Sequence, residues 1–445
     1  MSFEVTTFNG YFKSKNYQYF QIKTNELSDE LLSKMEEAKQ AINIIVCVDR
    51  SGSMSIDNKL ENVKDTLNFL VDQLRDIDQI GLVLFDDKVE IIQTQFMTKA
   101  NKENLKTIIK SIYTGGSTNI SSACMKAIEM LSGDSVLNDK IILFLTDGIP
   151  NQGIIHSIEM ISTLTPKILQ KNISLYTFGY GSDHDHNLLG KLASTCNGSY
   201  SYIKSNEDVM ISFANCLGGI FTTAIKNIEF TFKIRDGIKF SVLAPERRQV
   251  KINDNETLLI MGNMTSGETK DFLVSFKADD TPYLGECIIR YHNEIDGKDC
   301  EENLELIITK DNNISLLSSD KQFMFYDTYY RIELIDTINI IESISSISSI
   351  KKKMVDKLGN DFIEKINNIK EIFPDNAEYL EILDGYITTI KNIMEMQNRI
   401  DFNCLIRECS NGLSAQSSDG RNEYTKRYTS KGKEKMITKA KDFIK

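Results

Sequence analysis

Five consecutive apolar residues, Ile44-Ile45-Val46-Cys47-Val48, run directly into Asp49-Arg50-Ser51-Gly52-Ser53. Such a run predicts a strand buried on both faces, as in parallel sheets covered by helices. A carboxylate and two hydroxyls at alternate positions, on a tight glycine-containing turn at the strand's carboxyl end, form a compact set of hard oxygen ligands. That set suits Mg²⁺, or Mn²⁺ or Ca²⁺, rather than a soft metal. Gly115-Gly116-Ser117-Thr118-Asn119 offers another hydroxyl on a flexible loop, and Ile141-Ile142-Leu143-Phe144-Leu145-Thr146-Asp147-Gly148 is a second apolar strand ending in a carboxylate.

The surrounding pattern is consistent with that strand. From Ala41 to about Phe221, apolar runs alternate with helical stripes. Leu60, Val63, Leu67, Leu70 and Leu74 mark a helix from about Lys59 to Asp76. Ile80–Phe85 reads as a strand, and Val89–Ile92 as an antiparallel edge strand. Helices are expected over about Lys102–Tyr113, from Ile120, over Ile155–Gln170, over Asn187–Ser194 and from Glu207, with strands at Ile173–Phe178 and Ser199–Ile203. The alternation predicts a mostly parallel sheet covered on both faces. Ligands of such sheets bind outside the carboxyl ends of the strands, where Asp49 and Asp147 belong.

Asp-x-Ser-x-Ser, then Thr, then Thr-Asp-Gly resembles the metal-ion-dependent adhesion site of von Willebrand factor A (vWA) domains, with Asp49, Ser51, Ser53, Thr118 and Asp147 filling its positions. The resemblance implies a doubly wound, Rossmann-like α/β domain. It also implies that Ser51, Ser53 and Thr118 are direct metal ligands, while Asp49 and Asp147 bind directly or through water. Mg²⁺ takes about six oxygens and keeps some waters, so the set leaves a position for an Asp or Glu of a protein partner. Phe178-Gly179-Tyr180-Gly181-Ser182-Asp183-His184-Asp185-His186, Gly198–Ile203 and Cys216-Leu217-Gly218-Gly219 are similar to one vWA branch. That branch includes plant RING-type ubiquitin ligases and protist and giant-virus proteins linking vWA to hedgehog/intein-like regions. Residues 412–420 resemble the end of the helical region that follows vWA there. A RING needs clustered Cys/His zinc pairs, which this sequence does not have, and no hedgehog/intein-like module is evident. The resemblance therefore implies the partner-binding half of such proteins and not their ligase activity.

Beyond the α/β stretch the pattern changes twice. Ile228–Ile234 alternates apolar and polar residues, and Leu258–Ile260, Asp271–Phe276, Cys287–Tyr291 and Leu304–Ile308 read as further strands of an antiparallel β-sandwich. Gln18-Tyr19-Phe20-Gln21-Ile22-Lys23 alternates in the same way and is expected to pair into that sandwich. After Asn313 the chain reads as helical. Phe323, Tyr326, Tyr330, Leu334 and Ile338 lie on one stripe, Ser345–Ser349 is an expected helix connection, Asp375 and Glu378 form an expected capping box, and Ser410–Gly420 is an expected loop. The expected domains are thus residues 1–40 with a strand at about 17–24, a vWA domain over 41–222, a β-sandwich over 223–310, and a C-terminal α-helical region with a basic tail over 311–445.

Composition narrows the function classes. The net charge of -11 argues against nucleic acid as the main partner. From Arg421 to Lys445, nine Lys/Arg against three Asp/Glu leave a local +6, either a solvated helix face or a docking surface for an acidic partner or a membrane. The start of the chain lacks the pattern of a secretory signal, no apolar run is long enough to span a bilayer, and none of the eight cysteines forms Cys-x-x-Cys. These features predict reduced thiols and an intracellular, cytoplasmic protein.

Each candidate site has a plain structural alternative. Asp49, Ser51 and Thr118 could be helix caps. Asp183, His184, Asp185 and His186 could bind a second metal, but Asp185 is expected to cap the next helix, and His156 and His292 stand alone. With no Gly-x-Ser-x-Gly elbow and no phosphate-loop lysine, the chain is not expected to be an enzyme. The favoured function is a metal-dependent adaptor that captures an acidic residue of a partner. The alternatives are the recognition component of a ubiquitin-ligation or other assembly with catalysis in trans, and a vWA partner of an ATPase machine.

Overall fold

The computed structural model describes residues 3–28, 30–31, 40–133, 139–245, 247–277, 282–308, 313–344, 351–397, 399–416 and 428–444. The expected connection Ser345–Ser349 and residues 421–427 of the basic tail lie outside these. The chain divides into two compact units, one built from Met1–Leu32 with Thr222–Lys431 and the other from Ser33–Phe221 with Gly432–Lys445.

In chain order the strands are β1 (Phe3–Phe12), β2 (Lys15–Thr24), β3 (Ile42–Asp49), β4 (Gln79–Phe85), β5 (Val89–Phe96), β6 (Asp139–Thr146), β7 (Ile173–Tyr180), β8 (Tyr200–Ile203), β9 (Thr223–Ile234), β10 (Lys239–Leu243), β11 (Arg248–Asn253), β12 (Glu256–Thr265), β13 (Thr269–Lys277), β14 (Tyr283–Asn293) and β15 (Lys298–Ile307). The α-helices are α1 (Lys59–Gln73), α2 (Lys99–Lys110), α3 (Ile120–Met130), α4 (Ser157–Gln170), α5 (His186–Thr195), α6 (Asn206–Phe221), α7 (Ser319–Ile344), α8 (Lys351–Lys370), α9 (Ala377–Met396), α10 (Phe402–Ala415) and α11 (Lys431–Ile444).

The α/β unit has a six-stranded sheet in the order β5-β4-β3-β6-β7-β8, parallel except for β5. All eight residues of β3 are buried, as its unbroken apolar run requires. Ile44, Val46 and Val48 face a core shared with Leu60, Val63 and Leu67 of α1 and Phe213 and Leu217 of α6. On the other side α3 packs against β3 and β4, with the Cys47 thiol 4.0 Å from the Ala123 carbonyl oxygen. This is the doubly wound fold expected from the alternation. The last helix also belongs here. Met436 and Ala440 of α11 join that core, Phe443 lies edge-on to Phe69 at 5.6 Å, and Gly218 of α6 is so close that a Cβ there would stand 2.7 Å from the Lys433 Cα. The sequence grouped this helix with the helical region. Its apolar residues, spaced by one turn, are covered by the α/β unit instead.

The other unit pairs two antiparallel sheets, β1-β2-β13-β10 and β11-β12-β9-β14-β15. Phe20 and Phe272 of the first share a core with Phe230 and Phe232 of the second, with Phe20 stacked on Phe272 at 5.0 Å. Lys15–Thr24 pairs with Thr269–Lys277, so a strand preceding the α/β stretch lies beside one that follows it. A second core joins Tyr17, Tyr19 and Leu273 to α7–α10. Two local expectations differ from the structure. Asn376, not Asp375, caps α9, accepting from the Tyr379 amide at 3.1 Å. The expected Ser410–Gly420 loop is helical through Ala415, because Phe402, Ile406, Cys409 and Leu413 form a buried stripe that continues α10. Residues 417–420 lie outside the described residues.

Candidate metal centre

Asp49, Ser51, Ser53, Thr118 and Asp147 lie on the loops that leave the carboxyl ends of β3 and β6 and on the loop before α3. Two backbone hydrogen bonds stitch the first loop to the loop before α3: Gly52 donates to the Gly116 carbonyl at 3.0 Å, and Gly115 donates to the Arg50 carbonyl at 2.6 Å. The approach requires a residue without a side chain, since a Cβ on Gly115 would lie 1.9 Å from the Asp86 carboxylate. Arg50, itself buried, pins the rim with its Nε 3.2 Å from Asp86 and its Nη1 2.7 Å from Glu90.

The donor set forms a chain of contacts. Asp49 Oδ1 accepts from the Ser51 amide at 2.8 Å, and the Ser51 and Ser53 hydroxyls are 3.1 Å apart. The Ser53 hydroxyl donates to Asp147 Oδ1 at 2.6 Å. The Thr118 hydroxyl borders Asp147-Gly148, since a Cβ on Gly148 would stand 3.3 Å from it. Thr118 is fixed by its own backbone, its amide donating to Asn151 Oδ1 at 2.8 Å and its carbonyl accepting from Asn151 and Gln152.

The capping alternatives fail for two of the hydroxyls. Ser51 makes no side-chain cap bond to the short 3₁₀ segment Gly52–Asn58, and Asn119, not Thr118, caps α3 by accepting from the Ser122 amide at 3.1 Å. Neither hydroxyl is therefore spent on capping these helices.

Two participants escaped the sequence reading. Thr146, the last residue of β6, donates its hydroxyl to Asp49 Oδ2 at 2.5 Å and orients that carboxylate. The alternation signal could have marked it, as a hydroxyl closing a buried apolar strand. Lys59, the first residue of α1, places Nζ 2.6 Å from Asp147 Oδ2. A lysine at a helix start reads as solvated, so composition and periodicity gave no cue.

Burial dominates the electrostatics. Asp49 is fully buried, and desolvation pushes its carboxyl up to about 6 against the lowering effect of the Thr146 and Ser51 hydrogen bonds. A divalent cation would relieve that penalty, and Lys59 shows that Asp147 already attracts a cation. The donors are oxygens throughout, so they fit a hard ion such as Mg²⁺, Mn²⁺ or Ca²⁺. Among the described residues no three His, Cys, Asp or Glu side chains converge, so any ion held here draws on hydroxyls as much as carboxylates.

The Asp183–His186 segment has a structural role. His184 is buried, with Nδ1 2.7 Å from the Gly181 carbonyl and Nε2 2.7 Å from the Tyr200 hydroxyl. Burial lowers its pKa to about 4, so the ring is neutral at ordinary pH. Asp185 caps α5, accepting from the Leu188 amide at 2.9 Å. His156 precedes α4 without capping it, and His292 pairs with Asp299 at 2.7 Å on the sandwich. The structure links none of the eight cysteines by a disulfide, and no helix among the described residues is long and apolar enough to cross a membrane.

Comparison with known proteins bears on the fold that holds these residues. Residues 43–215 match the family model for the von Willebrand factor type A domain. Inter-alpha-trypsin inhibitor heavy chain H2 of Sus scrofa is 27% identical over 198 residues, 43% of this chain and 21% of that protein. The match thus spans about a fifth of the length of that relative. Among solved structures, a von Willebrand factor type A protein from Catenulispora acidiphila aligns with a TM-score of 0.61 at 12% identity, over 82% of this chain and 88% of that one. The ArnB paralog VWA2 from Sulfolobus acidocaldarius aligns at 0.54 and 18% identity, over 92% and 98% of the two chains. At these identities the two structures report a shared fold.

Proposed function

We propose that this chain, which carries a von Willebrand factor A domain, is a non-enzymatic interaction protein. In this reading it binds a divalent cation, Mg²⁺ foremost, through Asp49, Ser51, Ser53, Thr118 and Asp147, and the cation captures an Asp or Glu of a protein partner. The observation that carries the reading is the continuous contact from Asp49 through Ser51 and Ser53 to Asp147, with Thr118 at its border, at the edge of the sheet where such folds bind ligands. vWA domains commonly mediate protein–protein interaction, and an added carboxylate offers the charge and geometry that a hard cation with an open position favours. An intracellular location belongs to the same proposal, as do the ubiquitin-pathway partners implied by the branch resemblance.

The segments behind that branch resemblance have packing duties. A Cβ on Gly179 would lie 2.1 Å from His184 Nε2, one on Gly198 would lie 1.9 Å from the Leu175 carbonyl, and Gly218 abuts Lys433. They mark how the α/β unit is packed, so a recognition role in a ubiquitin-ligation assembly needs its own test. Repeated co-purification with a RING protein or a ubiquitin-conjugating enzyme would support it, and repeated absence of both would remove it.

The metal reading is tested by calorimetry with Mg²⁺ and Mn²⁺ on wild type and Asp49→Ala side by side. Binding by wild type and a loss of at least about a hundredfold in the variant is expected, since the substitution removes one of two carboxylates and the acceptor that holds the Ser51 amide. Equal binding by both proteins rules the site out. A partner captured equally by both proteins in EDTA would remove the metal from the recognition step.

A further inference from the structure

Lys59 stands where the local sequence rules disfavour it. It is the first residue of α1, and a cation there meets the positive end of the helix dipole. Its position is fixed by unusual backbone, because Asp57 and Asn58 both take left-handed φ angles, 52° and 57°, immediately before the helix. Asp and Asn adopt that conformation more readily than other non-glycine residues, and Asn206 fastens the turn by donating to the Asp57 carbonyl at 2.9 Å. The turn delivers the ammonium to Asp147 Oδ2 at 2.6 Å, with the other side of the charge 5.7 Å from the centre of the Tyr180 ring. The Lys59 side chain is 16% exposed and that of Asp147 0%, so the pair is largely shielded from solvent. The partner of Lys59 is one of the two carboxylates in the candidate donor set.

We infer that Lys59 makes cation binding at this site conditional on an added carboxylate, by neutralising one of the two acidic side chains of the candidate donor set. The inference rests on the metal reading above and concerns its regulation. Asp49 and Asp147 supply two negative charges, and Lys59 returns one, so the donor set has a net charge of minus one. A divalent cation leaves the site with a net charge of plus one in a poorly solvated setting, and an Asp or Glu from a partner restores neutrality. Cation and partner then bind cooperatively, each raising the affinity for the other by the same factor. Without the ammonium, the two carboxylates would hold the ion unaided, and the partner's carboxylate would matter less.

The experiment uses the full chain and Mn²⁺, with bound and free ion distinguished by electron paramagnetic resonance. Acetate serves as the carboxylate probe, and chloride at equal ionic strength as its control. Wild type is expected to bind Mn²⁺ weakly in chloride and several-fold more tightly in acetate. Lys59→Met is expected to bind at least about tenfold more tightly in chloride and to lose most of the acetate effect. Lys59→Arg, which keeps the charge, should behave as wild type. Thermal melts in EDTA confirm that each variant is folded, and Lys59→Gln replaces Lys59→Met if that variant is not. A neutral variant that binds no more tightly than wild type overturns the inference, as does a wild-type affinity indifferent to acetate. In either case, retention of Mn²⁺ by wild type and its loss in Asp49→Ala leaves the site itself standing. No Mn²⁺ bound by wild type in either salt overturns both.

Discussion

Each unit of the molecule has a shielded ion pair, and the two are built differently. In the sandwich unit, Arg331 Nη2 reaches Asp271 Oδ1 at 2.5 Å and its carbonyl at 2.9 Å, while Nη1 reaches the Leu413 carbonyl at 3.2 Å. Thr328 also donates to Asp271 Oδ1, and the Asp271 amide donates to Gln416. One guanidinium fork thus ties β13 to α7 and α10, and the partners around it are drawn from the protein itself. In the α/β unit, Lys59 meets Asp147 as a point charge, and the other carboxylate oxygen is held by the hydroxyl of Ser53. Hydroxyls can be re-paired when a cation arrives while the ammonium keeps the other oxygen of Asp147, whereas a fork locked to carbonyls cannot. The first pair is a fastening; the second has the composition of a binding site.

The sharpest way to break this contrast is to remove the cation from each pair. Arg331→Met removes a buried guanidinium from the largely shielded Asp271 carboxylate and from the Asp271 and Leu413 carbonyls, and a loss of about 3–5 kcal/mol is expected for the sandwich unit in denaturant unfolding. Mn²⁺ binding should be unaffected. Lys59→Met should cost well under half as much, because Lys59 serves a single carboxylate oxygen, whereas Arg331 also serves the Asp271 and Leu413 carbonyls. Equal destabilisation by the two variants would erase the distinction.

His184 sharpens the same contrast within the α/β unit, because it is a closed group only one strand from the candidate site. Both ring nitrogens are engaged, and its folded pKa of about 4 lies below the usual 6.5. A lowered histidine pKa means the folded state resists protonation. Stability is therefore full above pH 6.5 and declines as pH falls from 6.5 toward 4, by up to about 3 kcal/mol on the scale of one pKa unit per 1.36 kcal/mol. Unfolding midpoints of His184→Ala should show a shallower acid limb than wild type, and equal limbs would refute the assignment. Gly179→Ala acts on the same ring sterically. Its new Cβ would fall 2.1 Å from His184 Nε2, so a cost of about 1–3 kcal/mol is expected, part of it recovered in the Gly179→Ala/His184→Ala double variant.

Legibility in the sequence followed the same division. Strand β3 and strand β6 were visible because burial on both faces leaves an unbroken apolar run, and the candidate ligands were visible because they interrupt it at one end. Strand β1 was missed because it is an edge strand whose residues are mostly half-exposed, so its apolar alternation is diluted by Thr6, Thr7, Asn9 and Gly10. The extent of α10 was missed because Ser410, Asn411 and Gly412 read as a loop, while Leu413 decides the outcome through tertiary burial. Lys59 was illegible for a different reason. Its role depends on a contact with Asp147 across 88 residues, and no local pattern encodes a partner that distant, whereas Thr146, bonded to Asp49 across 97 residues, carried at least the local mark of a hydroxyl closing an apolar strand.

The smallest predicted effect separates the open group from the closed one by its sign. In the metal-free protein, burial raises the Asp49 carboxyl from 3.8 to about 6. A raised carboxyl pKa means the folded state binds its proton more tightly than the unfolded chain does. Asp49 therefore costs stability above pH 6, and that cost fades as pH falls from 6 toward 3.8, opposite in direction to His184. Asp49→Asn removes the titrating group, so whatever its effect on absolute stability the variant should lose stability with acid more steeply than wild type. Metal binding reverses the sense, because the ion competes with the proton for the same carboxylate. Mn²⁺ affinity should be flat above about pH 6 and fall by roughly tenfold per unit below it, with one proton released per ion bound in that range. Calorimetry in buffers of different ionisation enthalpy counts that proton. An affinity unchanged between pH 7 and pH 5 would mean that Asp49 does not meet the ion, even if the rest of the donor set does.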